Sequence, residues 1–163
     1  MKKILILCAL CASAFNIVTA QEITLEDIWT KGTFNAKGVA GFNSMNDGRH
    51  YSAQDKFENI IRYTFSDGNI VDTILRKADV NINGYSYSFS ENEQKILLQT
   101  NFKQIYRHSF AANIYVYDVN SKTLTQPINE QVMLAEFAPD GNKLAYVKNN
   151  NLFVFDLSTN KET

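Results

Sequence analysis

The sequence is nearly without cysteine, and this excludes several kinds of site. Both cysteines of the 163 residues, Cys8 and Cys11, lie within the first twenty positions. If that segment is removed, the remaining chain can form no disulfide, no thiolate metal site and no cysteine nucleophile. Nothing else in the sequence has the spacing of a metal or cofactor site, so we expect no metal and no cofactor.

The first twenty residues have the pattern of a secretory signal peptide. Lys2 and Lys3 precede an apolar run from Ile4 to Ala14, and Val18-Thr-Ala20 resembles a cleavage site. Neither cysteine follows the small residue that lipoprotein cleavage requires. We therefore expect residues 1–20 to be a signal peptide cleaved near Ala20, and residues 21–163 to form a secreted or periplasmic protein without a membrane anchor.

The sequence also lacks basic runs. Without Lys2 and Lys3, 14 basic residues face 17 acidic ones, a net charge near −3, and no basic run exceeds two residues. Nucleic acid and anionic membrane surfaces attract proteins through clustered Lys and Arg, so neither is expected as a partner. Thr24-Leu-Glu-Asp27 resembles a helix capping box and predicts one short helical turn through Trp29.

A repeated pattern organises the rest of the chain. Phe42, Phe89 and Phe137 are separated by 47 and 48 residues. Each is followed by a polar turn such as Asp140-Gly141, by a strand, and by a second strand that opens with Asn59, Asn113 or Asn151. A period in the forties with several short strands per unit is typical of β-propeller blades. A β-sandwich with coincidentally spaced hairpins is the alternative.

We therefore predict an all-β fold, a partial β-propeller of about three blades of antiparallel strands. Apolar residues on both faces of the strands near Leu144 and Leu152 indicate sheets covered on both sides. Three repeats do not close a ring, since propellers have at least about four blades. We expect an incomplete ring, belonging to the opening part of a longer protein or to a truncated gene, with exposed strand edges that favour aggregation.

One repeat carries an insertion. Phe89 and Asn113 are 24 residues apart, whereas Phe137 and Asn151 are 14 apart. The additional residues fall within 99–112 and contain Tyr106-Arg-His-Ser109. Loops change length at little entropic cost and often carry function, so we predict a functional loop here.

Tyr106-Arg-His-Ser109 followed by Ile114-Tyr-Val-Tyr-Asp118 resembles the N-terminal propeller of dipeptidyl peptidase IV, within the prolyl oligopeptidase superfamily. Thr24-Leu-Glu-Asp-Ile-Trp29 and the run from Gly41 to Tyr51 fit the same family, and bacterial members most. The resemblance covers essentially the whole chain after residue 20. The Phe137-Ala-Pro-Asp-Gly141 pattern alone is shared by many TolB-like and WD40-like propellers.

The resemblance implies a serine exopeptidase that releases N-terminal dipeptides with Pro or Ala second. It implies that Arg107 binds the peptide substrate. We expect Tyr106, His108 and Ser109 to support it, with His108 packed beneath the loop and holding Arg107 in position. The catalytic triad would belong to a C-terminal α/β-hydrolase domain that is missing here, so no residue of this chain is expected to be catalytic. The resemblance also allows a homodimer of the intact enzyme.

Other candidate residues have simpler interpretations. Gly84-Tyr-Ser-Tyr-Ser88 lacks the last glycine of a nucleophile elbow and leads into a strand, so we read it as the start of the second repeat. Asp118 and Asp156 end matching strands and are expected to cap turns. For Arg107, the alternative is a surface arginine paired with an acid. For the whole chain, the alternatives are a non-catalytic TolB-like or WD40-like binding module and an inactive gene remnant.

Overall fold

A computed structural model describes residues 22–36 and 41–163. The predicted signal peptide, residues 1–20, lies outside the described residues. The chain divides into two compact units, Met1–Val39 and Ala40–Thr163, which are described separately. Among the described residues, none of the helices has the length and apolar content that a membrane crossing requires.

The first unit contains one short helix, α1 (Leu25–Trp29), as the sequence predicts. Thr24 is its N-cap: the hydroxyl oxygen accepts a hydrogen bond from the Asp27 backbone N–H at 3.1 Å. In return the Asp27 carboxylate accepts from the Thr24 backbone N–H at 3.1 Å, which completes the capping box. Two of the donors left unpaired at a helix start are thereby satisfied, so the predicted capping box is confirmed.

Residues 41–163 form three antiparallel sheets of four strands each, in which neighbouring strands are also consecutive in sequence. We call them sheets I, II and III. Sheet I contains β1 (Phe42–Ser44), β2 (His50–Gln54), β3 (Ile60–Thr64) and β4 (Ile70–Leu75). Sheet II contains β5 (Ser86–Phe89), β6 (Lys95–Tyr106), β7 (Ser109–Asp118) and β8 (Thr123–Thr125). Sheet III contains β9 (Met133–Phe137), β10 (Lys143–Lys148), β11 (Asn151–Asp156) and β12 (Lys161–Glu162). A short helix, α2 (Lys77–Val80), connects sheets I and II.

The first turn of each sheet has the same geometry. Its closing hydrogen bond runs from Gly48 N–H to Met45, from Glu93 N–H to Ser90 and from Gly141 N–H to Ala138, at 2.8–3.1 Å. The donor residue has a positive φ in each case, 65° for Gly48, 57° for Glu93 and 67° for Gly141. Glycine adopts this conformation without steric cost, which explains two of the three residues. The turns that follow the repeated aromatic residues are thus confirmed.

Two apolar cores lie between successive sheets. The core between sheets I and II includes Ile60, Leu75, Ile96, Leu98 and Tyr117. The core between sheets II and III includes Leu97, Ile114, Val116, Leu144 and Tyr146. Leu97 and Leu98 are adjacent in β6 and serve opposite cores, because successive side chains of a strand point to opposite faces. Sheet II is therefore covered on both faces.

Sheet III departs from the prediction that both of its faces are covered. Leu144 and Tyr146 are fully buried against sheet II, whereas Leu152 is 72% exposed and Val154 36% exposed on the other face. No sheet within residues 41–163 packs against this second face, and this is why its apolar side chains remain accessible. The prediction of two covered faces is wrong for sheet III.

Candidate functional site

The predicted functional loop is a β-hairpin rather than an irregular loop. In β6 and β7 the pairing continues outward to Tyr106 and Ser109, whereas the corresponding hairpins of sheets I and III pair over only five and six residues. We call residues 101–111 the arm. Residues 101–106 include Phe102, Ile105 and Tyr106, types favoured in strands, which explains why the added residues extend the ladder.

The root of the arm is fixed to the connections that precede and follow sheet II. On one side, the buried Thr100 hydroxyl donates a hydrogen bond to the Asn83 carbonyl oxygen at 2.8 Å. On the other side, Ala112 and Val132 exchange two backbone hydrogen bonds of 2.9 Å, and both residues are buried. These contacts join sheet II to the connections that precede it and follow it. The arm therefore begins at a rigid part of the fold.

Beyond the root, the arm stands free of the sheets. Every residue from Asn101 to His108 is exposed. The phenyl rings of Phe102 and Phe110 form an edge-to-face pair with their centroids 5.1 Å apart, across the two strands of the arm. Such a pair contributes about 0.5–1.5 kcal/mol beyond its burial and helps to hold the strands together.

Arg107 and His108 form the two-residue turn at the tip. Tyr106 pairs with Ser109 across this turn, and the Gln104 side-chain amide donates to the carbonyl oxygens of Tyr106 and Arg107 at 2.7 and 3.2 Å. These two hydrogen bonds restrain the turn from within the arm. The Arg107 side chain is thereby carried at the outermost point of the hairpin.

The structure brings the four predicted site residues together at the tip, but it corrects the part assigned to His108. Tyr106 is 75% exposed and Ser109 half-buried. His108 is exposed within the turn, and among residues 22–36 and 41–163 no element covers the tip of the two-stranded arm. The prediction that His108 packs under Arg107 and holds it is wrong, and Gln104 makes the contacts that restrain the turn.

Several charged groups of the sheets are paired with one another. Lys77 forms an ion pair with Glu58 at 3.0 Å, and Lys148 contacts Glu162 at 3.2 Å. Within the described residues, no carboxylate lies within ion-pairing distance of Arg107. The alternative interpretation, a surface arginine paired with a neighbouring acid, is therefore not what the structure shows.

The remaining candidates are structural. Asp118 accepts hydrogen bonds from the backbone N–H groups of Asn120 and Ser121, and Asp156 accepts from those of Ser158 and Thr159, at 2.8–3.1 Å. The prediction that both aspartates cap turns is confirmed. Hydrogen bonds from Ser158 and Thr159 lower the pKa of Asp156 to about 2.

His50 and Gly84 also have structural roles. The His50 ring lies 2.5 Å from the Asp47 carboxylate, and this hydrogen bond lowers the pKa of Asp47 to about 2. Gly84 leads into strand β5, as the sequence predicts for the start of the second repeat. Within residues 22–36 and 41–163, no group of three His, Cys, Asp or Glu side chains is placed to hold a metal ion.

Sequence reasoning missed three residues that orient the arm: Gln104, Asn101 and Gln131. Asn101 has a positive φ of 53°, and its carbonyl oxygen accepts a hydrogen bond from the Gln131 side-chain amide at 2.6 Å. Gln104 could have been found by reading residues 101–106 as a strand, since it then lies near the tip of a hairpin. Gln131 is 30 residues away from Asn101, and no sequence pattern indicates their contact.

Comparison with known proteins agrees with this geometry. Residues 90–163, which contain the whole arm, match the family described as Dipeptidyl peptidase IV (DPP IV) N-terminal region. These residues belong to that family. The chain is also 30% identical to dipeptidyl peptidase 4 of Trichophyton equinum over 128 residues, 77% of this chain. It is 27% identical to human prolyl endopeptidase FAP over 138 residues, 83% of this chain.

A solved structure supports the fold. The crystal structure of Porphyromonas gingivalis dipeptidyl peptidase 4 matches 88% of this chain with a TM-score of 0.75 and 32% sequence identity. Sheets I–III therefore correspond to part of a dipeptidyl peptidase IV propeller, and the predicted fold class and family resemblance are confirmed. The chain spans 16% and 18% of the two curated relatives and 22% of the solved chain.

Proposed function

We propose that this chain is the N-terminal propeller portion of a secreted or periplasmic dipeptidyl peptidase IV-like serine exopeptidase. Such an enzyme would release N-terminal Xaa-Pro or Xaa-Ala dipeptides, with the reacting groups supplied by an α/β-hydrolase domain. The family match over residues 90–163 and the similarity to dipeptidyl peptidase 4 support this proposal. The contribution of the present residues would be to position the peptide.

The observation that carries the proposal is the placement of Arg107. Its guanidinium lies at the tip of a restrained hairpin, exposed and without an acidic partner among the described residues. A guanidinium is a rigid, permanently charged fork of N–H donors, suited to a carbonyl or carboxylate oxygen. We propose that Arg107 donates hydrogen bonds to a main-chain oxygen of the bound peptide. Tyr106 and Ser109 would support the turn that presents it.

The test is the Arg107→Ala variant in a protein that joins this segment to its hydrolase domain. A hydrogen bond to a charged group contributes about 1.5–3 kcal/mol, so kcat/KM for an N-terminal Xaa-Pro substrate should fall about tenfold to a hundredfold. The kcat/KM of Arg107→Lys, which keeps the positive charge but loses the planar set of N–H donors, should fall less. Steady-state kinetics with a chromogenic dipeptide substrate measures both variants.

Lys103→Ala is the matched control, because Lys103 is an exposed cation on the same arm, four residues before Arg107. It should leave kcat/KM within about twofold of the parent value, since an exposed charge away from the substrate contributes little to binding. An unchanged kcat/KM in Arg107→Ala would remove Arg107 from the substrate site. An equal loss in both variants would show a general electrostatic effect of the arm.

A further inference from the structure

A side chain from outside the arm contacts its base. We propose that Gln131, on the connection between β8 and β9, is a positioning residue that fixes the orientation of the arm and so the location of Arg107. The inference about Arg107 rests on the proposed function. The inference about the arm itself rests on geometry alone.

The arm bends where its own ladder is interrupted. Thr100 pairs with Asn113 and Lys103 with Ala111, so the register shifts between these two pairs. Asn101 lies at this shift, with the positive φ of 53° that is uncommon for a residue with a side chain. A bulge of this kind bends a strand and increases its twist. The direction of the exposed part of the arm is therefore set at Asn101.

Consecutive residues of the β8–β9 connection hold both strands at this bulge. Ala112 of β7 forms its two backbone hydrogen bonds with Val132. Next to it, the Gln131 side chain donates to the Asn101 carbonyl oxygen of β6 at 2.6 Å. The bulge is thus held on one strand by backbone bonds and on the other by a single side chain. Only the second contact can be removed by substitution without changing the backbone.

Small rotations at the bulge have large effects at the tip. A strand rises about 3.3 Å per residue, so Arg107 lies about 20 Å beyond Asn101, and a rotation of about 10° moves it by about 3–4 Å. That displacement exceeds the length of a hydrogen bond. An isolated two-stranded hairpin is only marginally stable in water, so the arm has little stiffness of its own against such a rotation. A fixed contact at its base is consequently needed to place Arg107.

The first test measures the arm in the protein joined to its hydrolase domain and does not depend on activity. Cysteines introduced at His108 and Lys122, with the native cysteines changed to Ser, allow two spin labels to report the distance from the tip to the β7–β8 turn. Gln131→Glu keeps the shape of the side chain and replaces its N–H donor with an acceptor. We expect the distance distribution to broaden or shift by about 3 Å or more. This is the displacement at the tip that a rotation of about 10° at the bulge would produce.

Gln126→Glu is the control, an exposed glutamine on the same connection next to β8. Gln126→Glu should leave the spin-label distance distribution as in the parent. Both Gln126→Glu and Gln131→Glu should melt at the parent temperature, since both glutamines are exposed. Gln131→Ala provides a second way to remove the bond. An unchanged distribution in Gln131→Glu and Gln131→Ala would overturn the inference.

The second test connects the arm to the substrate in a protein that includes the hydrolase domain. Gln131→Glu should lower kcat/KM about threefold to tenfold, the effect of losing one neutral hydrogen bond. In an Arg107→Ala background the same substitution should have no further effect, because it acts through Arg107. A loss that persists in that background would contradict the positioning of Arg107. If Arg107→Ala alone has no effect, the proposed substrate role of Arg107 fails, while the spin-label result still decides the role of Gln131 in the arm.

Discussion

At the scale of single residues, aspartates at strand ends carry much of the turn structure. Asp118 and Asp156 occupy equivalent positions in sheets II and III, and each carboxylate accepts hydrogen bonds from the backbone N–H groups two and three residues later. Aspartate suits this position because its short side chain reaches its own backbone two residues further along. The sequence predicts both roles, since the pair recurs at matching places in the repeat.

Asp156→Ala should lower the melting temperature at pH 7, because two backbone N–H groups lose their acceptor. The pKa of Asp156 is lowered to about 2 from an ordinary value of 3.8. Its stabilising contribution is therefore fully present above about pH 4 and is lost as the pH falls towards 2. The difference in melting temperature between the parent and Asp156→Ala should shrink over that range. Glu136→Ala, at an exposed carboxylate of the same sheet, is the control and should leave the melting temperature at pH 7 as in the parent.

At the scale of elements, stability comes from the faces that pack between sheets. Leu144 is fully buried between sheets II and III, whereas Leu152, on the neighbouring strand of sheet III, is 72% exposed on the opposite face. The two leucines are chemically identical and differ in what covers them. This makes them a matched pair for measuring the contribution of the core between the sheets.

Leu144→Ala should lower the free energy of unfolding by about 2–5 kcal/mol, since it removes buried methyl groups and leaves a cavity. Leu152→Ala should change it by no more than about 0.5 kcal/mol, as exposed substitutions do. Urea denaturation followed by circular dichroism measures both. Equal effects of the two substitutions would mean that the sheets do not pack as described.

Local sequence features predict most strands of the sheets, but they do not predict contacts between distant residues. The first three strands of each sheet follow from the recurring aromatic residue, turn and asparagine, because these features are local. The fourth strands, β4, β8 and β12, are not predicted by this pattern. Strands β8 and β12 have only three and two residues, too few to show periodicity. The inserted length alone predicts a loop, whereas the strand-forming residues Phe102, Ile105 and Tyr106 extend the hairpin. Contacts such as Gln131 with Asn101 join residues far apart in sequence and leave no local signal.

At the scale of the whole molecule, three propeller sheets present a guanidinium on an arm that rises from the middle sheet. The apolar face of sheet III, with Leu152 and Val154, remains accessible, and so do Phe42 and Phe65 of sheet I. Exposed apolar surface of this kind favours association, so aggregation of the isolated chain stays a prediction. The secreted or periplasmic location and the homodimer of the intact enzyme are likewise proposals.

The most direct test is a crystal structure of the protein joined to its hydrolase domain, with a non-hydrolysable Xaa-Pro peptide bound. The account predicts that a guanidinium nitrogen of Arg107 lies about 3 Å from a main-chain oxygen of that peptide, at hydrogen-bonding distance. It also predicts that Gln131 still contacts Asn101 at the base of the arm. A peptide bound with the arm directed into solvent, and with Arg107 out of its reach, would contradict the account.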